Sequence, residues 1–366
     1  SYVARVEKEN CVACGRCVEY CPAGAVKLGQ KLCKADGSEV KYPKSSMPSL
    51  EKWGPEKWDI DYRDNNRINC YETGTAPCKT VCPAHIAVQG YLRLAAQGKY
   101  KEALELIKRE NPFPAVCGRR CNRRCEDACT RGTIDQAVAI DEVKRFIAQQ
   151  DLDSDRRFVP DKVIPKVCGE FEEKIAIIGG GPAGLSCAYY LAIKGYSPII
   201  FEKERRMGGM LTNGIPSFRL EKDVVEAEID VLKELGVQFR CGVEVGRDIT
   251  IPELREQGFK GFYLAVGLQS GGELDISGAD ANGIISGIDF MRRVNLGDAT
   301  ELKGRVVVIG GGNIACDVAR TATRLGADAV DMYSLEEYEK MPCGEEDRSE
   351  CERDGITIHG GWGPIS

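Results

Sequence analysis

The chain has 366 residues, with 50 Lys and Arg against 56 Asp and Glu, a net charge of -6, 18 cysteines and two histidines. That length accommodates two or three domains with cores of their own, and the mild acidity argues against a nucleic-acid surface. With His85 and His359 as the whole imidazole stock, histidine acid-base and zinc-hydrolase chemistry lack raw material, so the chemistry falls to cofactors.

At the N-terminus no basic-plus-apolar segment reads as a signal peptide, and no apolar run in the chain approaches the roughly 18 residues of a membrane span. The expectation is a soluble, cytoplasmic protein, in a reducing compartment where many cysteines do not imply a disulfide scaffold. Cys11-x2-Cys14-x2-Cys17-x3-Cys21-Pro22 is the bacterial ferredoxin run, whose short loops bring thiolates round an iron-sulfur cube. A zinc ribbon would instead pair two C-x2-C knuckles across a longer gap, and no such partner pair follows. In two-cluster ferredoxins the cysteine before proline serves the other cluster. With one run here, Cys21 is available to ligate elsewhere and Cys33 to complete the first cube. Residues 1–34 thus read as a ferredoxin-like 4Fe-4S segment, and residues 35–69 as a polar linker in which Trp53 and Trp58 pin the chain to a neighbouring surface.

Residues 70–150 read as a small helical iron-sulfur domain. Amphipathic patterns over 86–97 and 99–110 are separated by Gly98, and Pro112 and Pro114 stop the second helix before Cys117-x3-Cys121-x3-Cys125-x3-Cys129. Arg119, Arg120, Arg123 and Arg124 are interleaved with these cysteines, so they offset thiolate charge or meet an acidic protein partner. A closing helix over 137–149 and a linker over 151–173 complete this part.

From Lys174 the texture becomes strand, glycine turn, helix, strand, which is the pattern of an open parallel sheet. The strand Ile175–Ile178 runs into Gly179-x-Gly181-x-x-Gly184, and the next strand ends in Glu202, near the spacing expected of an acid that holds ribose hydroxyls. The pattern repeats as Val306–Ile309 followed by Gly310-x-Gly312-x-x-Ala315. Two such sites in series predict one bound flavin dinucleotide and one passing nicotinamide dinucleotide. The predicted class is therefore multidomain α/β, with a ferredoxin-like segment, a helical iron-sulfur domain and two Rossmann-type domains at 174–300 (FAD) and 301–366 (NAD(H), incomplete). Cys187, Cys241, Cys316, Cys343 and Cys351 stand singly, so no C-x2-C dithiol relay is predicted, and they read as small core residues.

Cys78-x3-Cys82-Pro83, the helical pair, Gly118-Arg-Arg-Cys121-x3-Cys125-Glu-x2-Cys129 and Gly179-Gly-Gly-Pro182-Ala183-Gly184 together resemble the small subunit of glutamate synthase. The N-terminal half of dihydropyrimidine dehydrogenase and the large subunit of electron-bifurcating ferredoxin:NADP oxidoreductase share this arrangement. The resemblance implies two 4Fe-4S clusters, a non-covalent FAD and hydride transfer from a reduced nicotinamide. It also implies flavin contacts at Gly209, Leu211, Gly214 and Arg219, with Lys203 and Gly267 as further candidates, and nicotinamide contacts that include Asn313 and Glu336.

Three departures from that family stand out. Thr73 replaces a cysteine between Cys70 and Cys78, and Lys144 stands where some members supply a Glu or Gln ligand, with Asp141 and Glu142 close by in sequence. Leu335 and Glu336 replace an Arg-Arg pair of the NADP-binding members, which favours NADH because a carboxylate repels a 2′-phosphate. The sequence also ends at Ser366 inside the nicotinamide domain, so either the chain is partial or its FAD site is incomplete. The twelve thiols Cys11, Cys14, Cys17, Cys21, Cys33, Cys70, Cys78, Cys82, Cys117, Cys121, Cys125 and Cys129 suffice for three 4Fe-4S clusters, with their partition open. The expected function is electron transfer between NADH and ferredoxin or a partner redox subunit, in a larger complex for which a hydrogenase, a formate dehydrogenase or a second flavoprotein are candidate partners that no residue here distinguishes, with electron bifurcation left open. No nucleic acid or membrane is expected as a partner. The competing reading is a non-catalytic electron-relay or assembly subunit whose nucleotide folds serve as scaffold.

Overall fold

The computed structural model describes residues 76–162, 171, 173–269, 271, 272, 276–299 and 301–365. Expectations for residues 1–75, which include Cys11, Cys14, Cys17, Cys21, Cys33, Cys70, Trp53, Trp58 and Thr73, lie outside the described residues. What is described belongs to one compact unit, Ala76–Ser366.

Its first part is helical. Helices α1 (Val88–Ala96) and α2 (Tyr100–Lys108) fall inside the two expected windows, and Gly98 between them takes φ +72°, a left-handed conformation that glycine adopts without strain. Helix α3 (Pro114–Arg120) starts on a proline, whose missing N–H would find no helical partner at that position anyway. Helix α4 (Ile140–Leu152) begins and ends three residues later than the expected closing helix. Tyr91, Leu104, Ile107, Ile140 and Ile147 form the core of this part, and Cys78, Cys82 and Cys125 pack on its edge.

A four-stranded parallel sheet follows, in the order β3-β2-β1-β4, with β1 Lys174–Ile178, β2 Ser197–Glu202, β3 Gln238–Cys241 and β4 Phe259–Leu264. Helix α5 (Pro182–Ile193) links β1 to β2, and α6 (Lys222–Glu234) precedes β3. Parallel neighbours need such crossovers, and apolar side chains of the strands and helices fill the space between them. Ile177, Ile200, Leu185, Tyr189, Ile229 and Leu232 form that core, and Phe113 and Val116 from the helical part enter it. A second parallel sheet, β5-β6-β7, comprises Arg305–Ile309, Ala329–Ser334 and Thr357–Gly360. It packs with α7 (Gly287–Leu296), α8 (Asn313–Arg324) and α9 (Glu345–Arg353). Among the described residues, no helix is long and apolar enough to cross a membrane.

The helical part and the first sheet are joined by a buried charge pair. Lys108 Nζ lies 3.2 Å from Glu228 Oε2 on α6, both side chains being 1% exposed. The other oxygen, Oε1, accepts the Ala115 N–H at 2.8 Å, so a single carboxylate satisfies an end of α2 and the first turn of α3. The Tyr189 hydroxyl adds a bond to the Lys108 carbonyl at 3.2 Å. Removing one partner would strand a buried charge, so Glu228→Ala should destabilise the protein by about 3–5 kcal/mol in denaturant unfolding, with Glu228→Gln less affected. A loss below about 1 kcal/mol for the alanine variant would show that the pair does not hold the seam.

Candidate functional site

Six cysteines of the helical part lie half-buried round its edge, carried by short turns and by α3. Their thiols respond to one another. Cys78 is pushed up by burial and by the neighbouring Cys129 and Cys82, and Cys125 is pushed up to about 11 by burial and by Cys121, Glu126 and Cys82. Cys129 is instead held down by the Val138, Arg131 and Gly132 backbone groups bonded to its sulfur. Cys78, Cys82, Cys125 and Cys129 therefore form one neighbourhood that continues through Cys121 to Cys117, with Lys144 near Cys125, Cys121 and Cys117. Thiols crowded this way disfavour their own ionisation until a metal neutralises them, which is the environment of an iron-sulfur cluster. Among the described residues no three Cys, His, Asp or Glu side chains converge tightly enough for a single metal ion. A four-iron cube spreads its thiolates over four separate irons and does not require that convergence.

The structure also shows what Lys144 does. Buried on α4, its ammonium lies 2.5 Å from Asp141 Oδ1, and the Asp141 side chain is 2% exposed. Asp141 is thereby occupied in neutralising Lys144, with Arg123 3.7 Å away, and Glu142 faces outward toward Arg123 at 3.4 Å. Neither carboxylate stands free to take the place of a missing cluster ligand.

At the first glycine turn, Gly179 and Gly181 leave β1, and Pro182 and Ala183 expose the N-terminal end of α5 to solvent while Gly184 is buried. Glu202, at the end of β2, accepts the Gly180 N–H at 2.6 Å and the Glu204 N–H at 2.9 Å. Its carboxylate thus sits beside the turn, as the sequence spacing predicts; Lys203 points to solvent. The segment carrying Gly209, Leu211 and Gly214 lies against the same turn, with the Gly208 N–H bonded to the Gly180 carbonyl at 2.8 Å. At Gly209, φ is +54° and a Cβ would lie 2.7 Å from Gly181 Cα, so no side chain fits. Gly267 takes φ +68° in the loop after β4. The Gly179 and Gly180 N–H groups are taken by the Phe201 carbonyl and by Glu202, and the exposed N-terminal end of α5 beside that carboxylate fits a dinucleotide such as FAD.

Arg219, for which the resemblance implies a flavin contact, is surrounded by carboxylates of the second sheet unit. Its guanidinium is committed to Asp317 on α8 and to Asp347 on α9, with Glu350 at 3.8 Å. Phe218 beside it lies under Arg324 and Arg320, at 4.1 and 4.8 Å. This segment therefore braces the first sheet unit against the second, and burial raises Asp317 to about 6 despite the nearby arginine. Sequence reasoning also passed over Lys222, whose Nζ donates to the carbonyls of Leu211, at 3.1 Å, and of Ile215. A lysine in the first helical position opposes the helix dipole, and that oddity was the available signal.

The second turn repeats the first. Gly310 and Gly312 leave β5, Asn313 is exposed at the start of α8, and Ala315 occupies the third position. Glu336 lies two residues past β6, its Oε2 accepting from Ser334 Oγ at 2.7 Å, a bond that holds its pKa below the usual carboxylate range. A Cβ on Gly311 would lie 2.2 Å from Ser334 Oγ and 3.3 Å from Glu336 Oε2, so the carboxylate stands over this turn as Glu202 stands over the first. Ile309, Ile314 and Leu335 give the turn an exposed apolar rim.

Of the five cysteines read as small core residues, Cys316, Cys343 and Cys351 are buried, Cys187 is half-buried and Cys241 is exposed.

Two outcomes test this geometry. Gly209→Ala should fold yet lose most of its flavin, read as a fallen ratio of flavin to protein absorbance; full retention would separate this segment from the cofactor. Burial lowers Lys222 to about 8 from its ordinary 10.5, so below pH 8 the folded state carries the full cost of its desolvated ammonium. Between those values the folded lysine sheds its proton before the unfolded one, so stability rises with pH there. The parent should gain on Lys222→Met in unfolding free energy across that window, and a difference flat in pH would contradict the assignment.

Residues 62–156 match the model of the 4Fe-4S domain II of dihydropyrimidine dehydrogenase, residues 173–361 that of pyridine nucleotide-disulphide oxidoreductases, and residues 4–27 that of a 4Fe-4S binding domain. The NADP(+)-dependent formate dehydrogenase subunit beta of Moorella thermoacetica is 37% identical over 304 residues, covering 78% of this chain and 43% of the relative. The NADPH-Fe(3+) oxidoreductase subunit beta of Geobacter sulfurreducens is 35% identical over 289 residues, covering 78% and 42%. The glutamate synthase [NADPH] small chain of Halomonas elongata is 38% identical over 301 residues, covering 79% and 62%. The chain thus spans between 42% and 62% of the length of these three relatives.

Proposed function

The chain belongs to the pyridine nucleotide-disulphide oxidoreductases, in the flavin-iron-sulfur group, and from that premise we propose that it carries electrons between NADH and ferredoxin or a partner redox subunit. On this reading the first sheet unit is the Rossmann-type site of FAD and the second that of the nicotinamide, and the described cysteines belong to two of three 4Fe-4S clusters. The observation that carries it is the repeated turn: Glu202 at Gly180 and Glu336 at Gly311, in one compact unit with six clustered thiols.

Bound flavin would supply the exchange between two-electron hydride chemistry and one-electron transfer. The chain's own residues bind and orient. Gly179, Gly181 and the start of α5 receive a pyrophosphate, while Glu202 holds a ribose hydroxyl from the side of β2. Gly310, Gly312, Asn313 and Ala315 do the same for the nicotinamide dinucleotide, with Ile309, Ile314 and Leu335 against its adenosine half. Cys78, Cys82, Cys117, Cys121, Cys125 and Cys129 ligate iron, and Lys144 with its neighbouring arginines offsets the thiolate charge.

Preference for NADH rests on Leu335 and Glu336. Glu336 is exposed, anchored by Ser334 and ionised, so a 2′-phosphate there would meet a fixed negative charge, and Leu335 offers it no donor. The three relatives described above carry NADP or NADPH in their names, and the preference for NADH in this chain rests on the resemblance alone, in which NADP-binding members carry an arginine pair where Leu335 and Glu336 stand. Partner subunits follow by analogy with relatives named as subunits of multi-subunit enzymes.

Anaerobic purification with iron and flavin quantification, followed by titration at the flavin absorbance, tests the reading. Expected are about twelve irons per chain, and flavin bleaching at lower NADH than NADPH. About four irons per chain would overturn three clusters, and absent bleaching would overturn electron transfer from nicotinamide. Leu335→Arg with Glu336→Arg should move the preference toward NADPH by about tenfold, equivalent to roughly 1.4 kcal/mol. NADPH bleaching the parent more readily than NADH would overturn the preference.

A further inference from the structure

Cys316 on α8, Cys343 in the loop before α9 and Cys351 on α9 meet in the core of the second sheet unit, each no more than 3% exposed. The Cys316 thiol interacts with those of both Cys343 and Cys351, and Cys351 Sγ lies 4.0 Å from the Cys316 carbonyl oxygen. Arg219, Arg320, Arg348 and Asp347 lie nearby, with Arg219 and Arg320 also paired to Asp317, Asp347, Glu350 and Asp354. Their influence is unequal. The bond to Cys316, assisted by Arg320 and Arg219, holds Cys351 below the ordinary thiol range, whereas the same contact and burial push Cys316 up.

The trio is wired to the second glycine turn. The Cys343 N–H donates to the Gly311 carbonyl at 3.0 Å, and Arg348 Nη1 donates to the Cys343 carbonyl at 3.1 Å. Cys316 directly follows Ala315 in the opening turns of α8. Any movement of Cys316 relative to α9 therefore shifts the backbone that faces the nucleotide.

We propose that Cys316 and Cys351 are an oxidisable dithiol that a hydroperoxide joins as a disulfide, weakening nicotinamide binding at the adjoining turn. The Cys351 thiolate attacks one peroxide oxygen, the O–O bond breaks, and the departing hydroxide takes up a proton to leave as water, with a sulfenic acid on Cys351. The Cys316 sulfur then attacks that sulfenic sulfur; the S–S bond forms as the S–O bond breaks, and the hydroxyl leaves with the Cys316 proton as water. Two thiols are oxidised and one hydrogen peroxide is reduced to two waters. The link draws α8 and α9 together at Cys316, against the Gly311–Cys343 bond. The effect on binding rests on the reading of the second turn as the nicotinamide site.

Trypsin places the three thiols on separate peptides, Val306–Arg320, Met341–Arg348 and Ser349–Arg353. The cofactor-loaded protein would be treated anaerobically with hydrogen peroxide, alkylated and digested, and NADH affinity measured in parallel by equilibrium dialysis. Expected are Val306–Arg320 linked to Ser349–Arg353, reversal by dithiothreitol, and NADH binding weakened about tenfold, an ordinary size for coupling between two sites. Cys351→Ser should form no link and keep its affinity after peroxide; Cys316→Ala serves as a second control.

Alkylatable thiols on both peptides after peroxide would overturn the site. A disulfide without a change in affinity would overturn its coupling to the turn, as would an equal loss in Cys351→Ser, which would point to oxidative damage elsewhere. If the untreated protein binds no NADH, the functional reading and the coupling both fall, and the peptide masses still decide the disulfide.

Discussion

The Lys108–Glu228 pair is the constraint on which the arrangement of the unit turns. A carboxylate buried between a helical iron-sulfur part and a nucleotide-binding sheet is costly to dehydrate, and it is tolerable only because each oxygen has a partner: an ammonium on one side, the Ala115 N–H on the other. Both partners lie in the helical part while Glu228 lies on α6, so the charge is satisfied only when the two parts are docked. Phe113 and Val116, which enter the sheet's core beside it, supply the apolar share of the same seam. The helix α3 that carries Cys117 is thereby fixed at its first turn to the body that holds the first glycine turn, and the separation of thiols and nucleotide site becomes a property of the fold.

A similar logic sets the two sheet units against each other. The segment from Gly208 to Leu220 leaves the first glycine turn, is clamped at its carbonyls by Lys222, and ends with Phe218 and Arg219 inserted among Arg320, Arg324, Asp317 and Asp347 of the second unit. Asn295 on α7 adds a bond to the Asn213 carbonyl at 2.8 Å. One stretch of chain therefore runs from the first glycine turn to α8 and α9, and its glycines permit the approach at one end while its charges fix the other. Arg219 thereby ties the two units together.

These differences show what local sequence can and cannot carry. Both glycine turns and Glu202 were legible because spacing within a strand-turn-helix unit encodes them, whereas Glu336 was reached only through the resemblance. The helical windows were right to within a few residues, since apolar periodicity reports a buried face and leaves the exact ends to capping. The ion pairs of Arg219 were not legible because its carboxylate partners lie on α8 and α9, far along the chain, and no local pattern announces a pairing between units. Lys144 was identified as an unusual residue, yet only the structure shows that Asp141 neutralises it. Cys316, Cys343 and Cys351 read as isolated because no short motif joins them, and only the packing of α8 on α9 makes them neighbours.

That packing bears on how a redox protein separates its sulfurs. The half-buried thiols of the helical part sit on turns at the edge of its core, where backbone N–H groups and guanidinium groups surround them and where metal can reach. The trio of the second unit is enclosed, bonded to itself, and set against the second glycine turn. Enclosure leaves each of these thiols no more than 3% exposed, against the half-buried thiols of the helical part. The same element therefore meets opposite fates in the two places, and the difference lies in the depth of burial and in which backbone each sulfur can move.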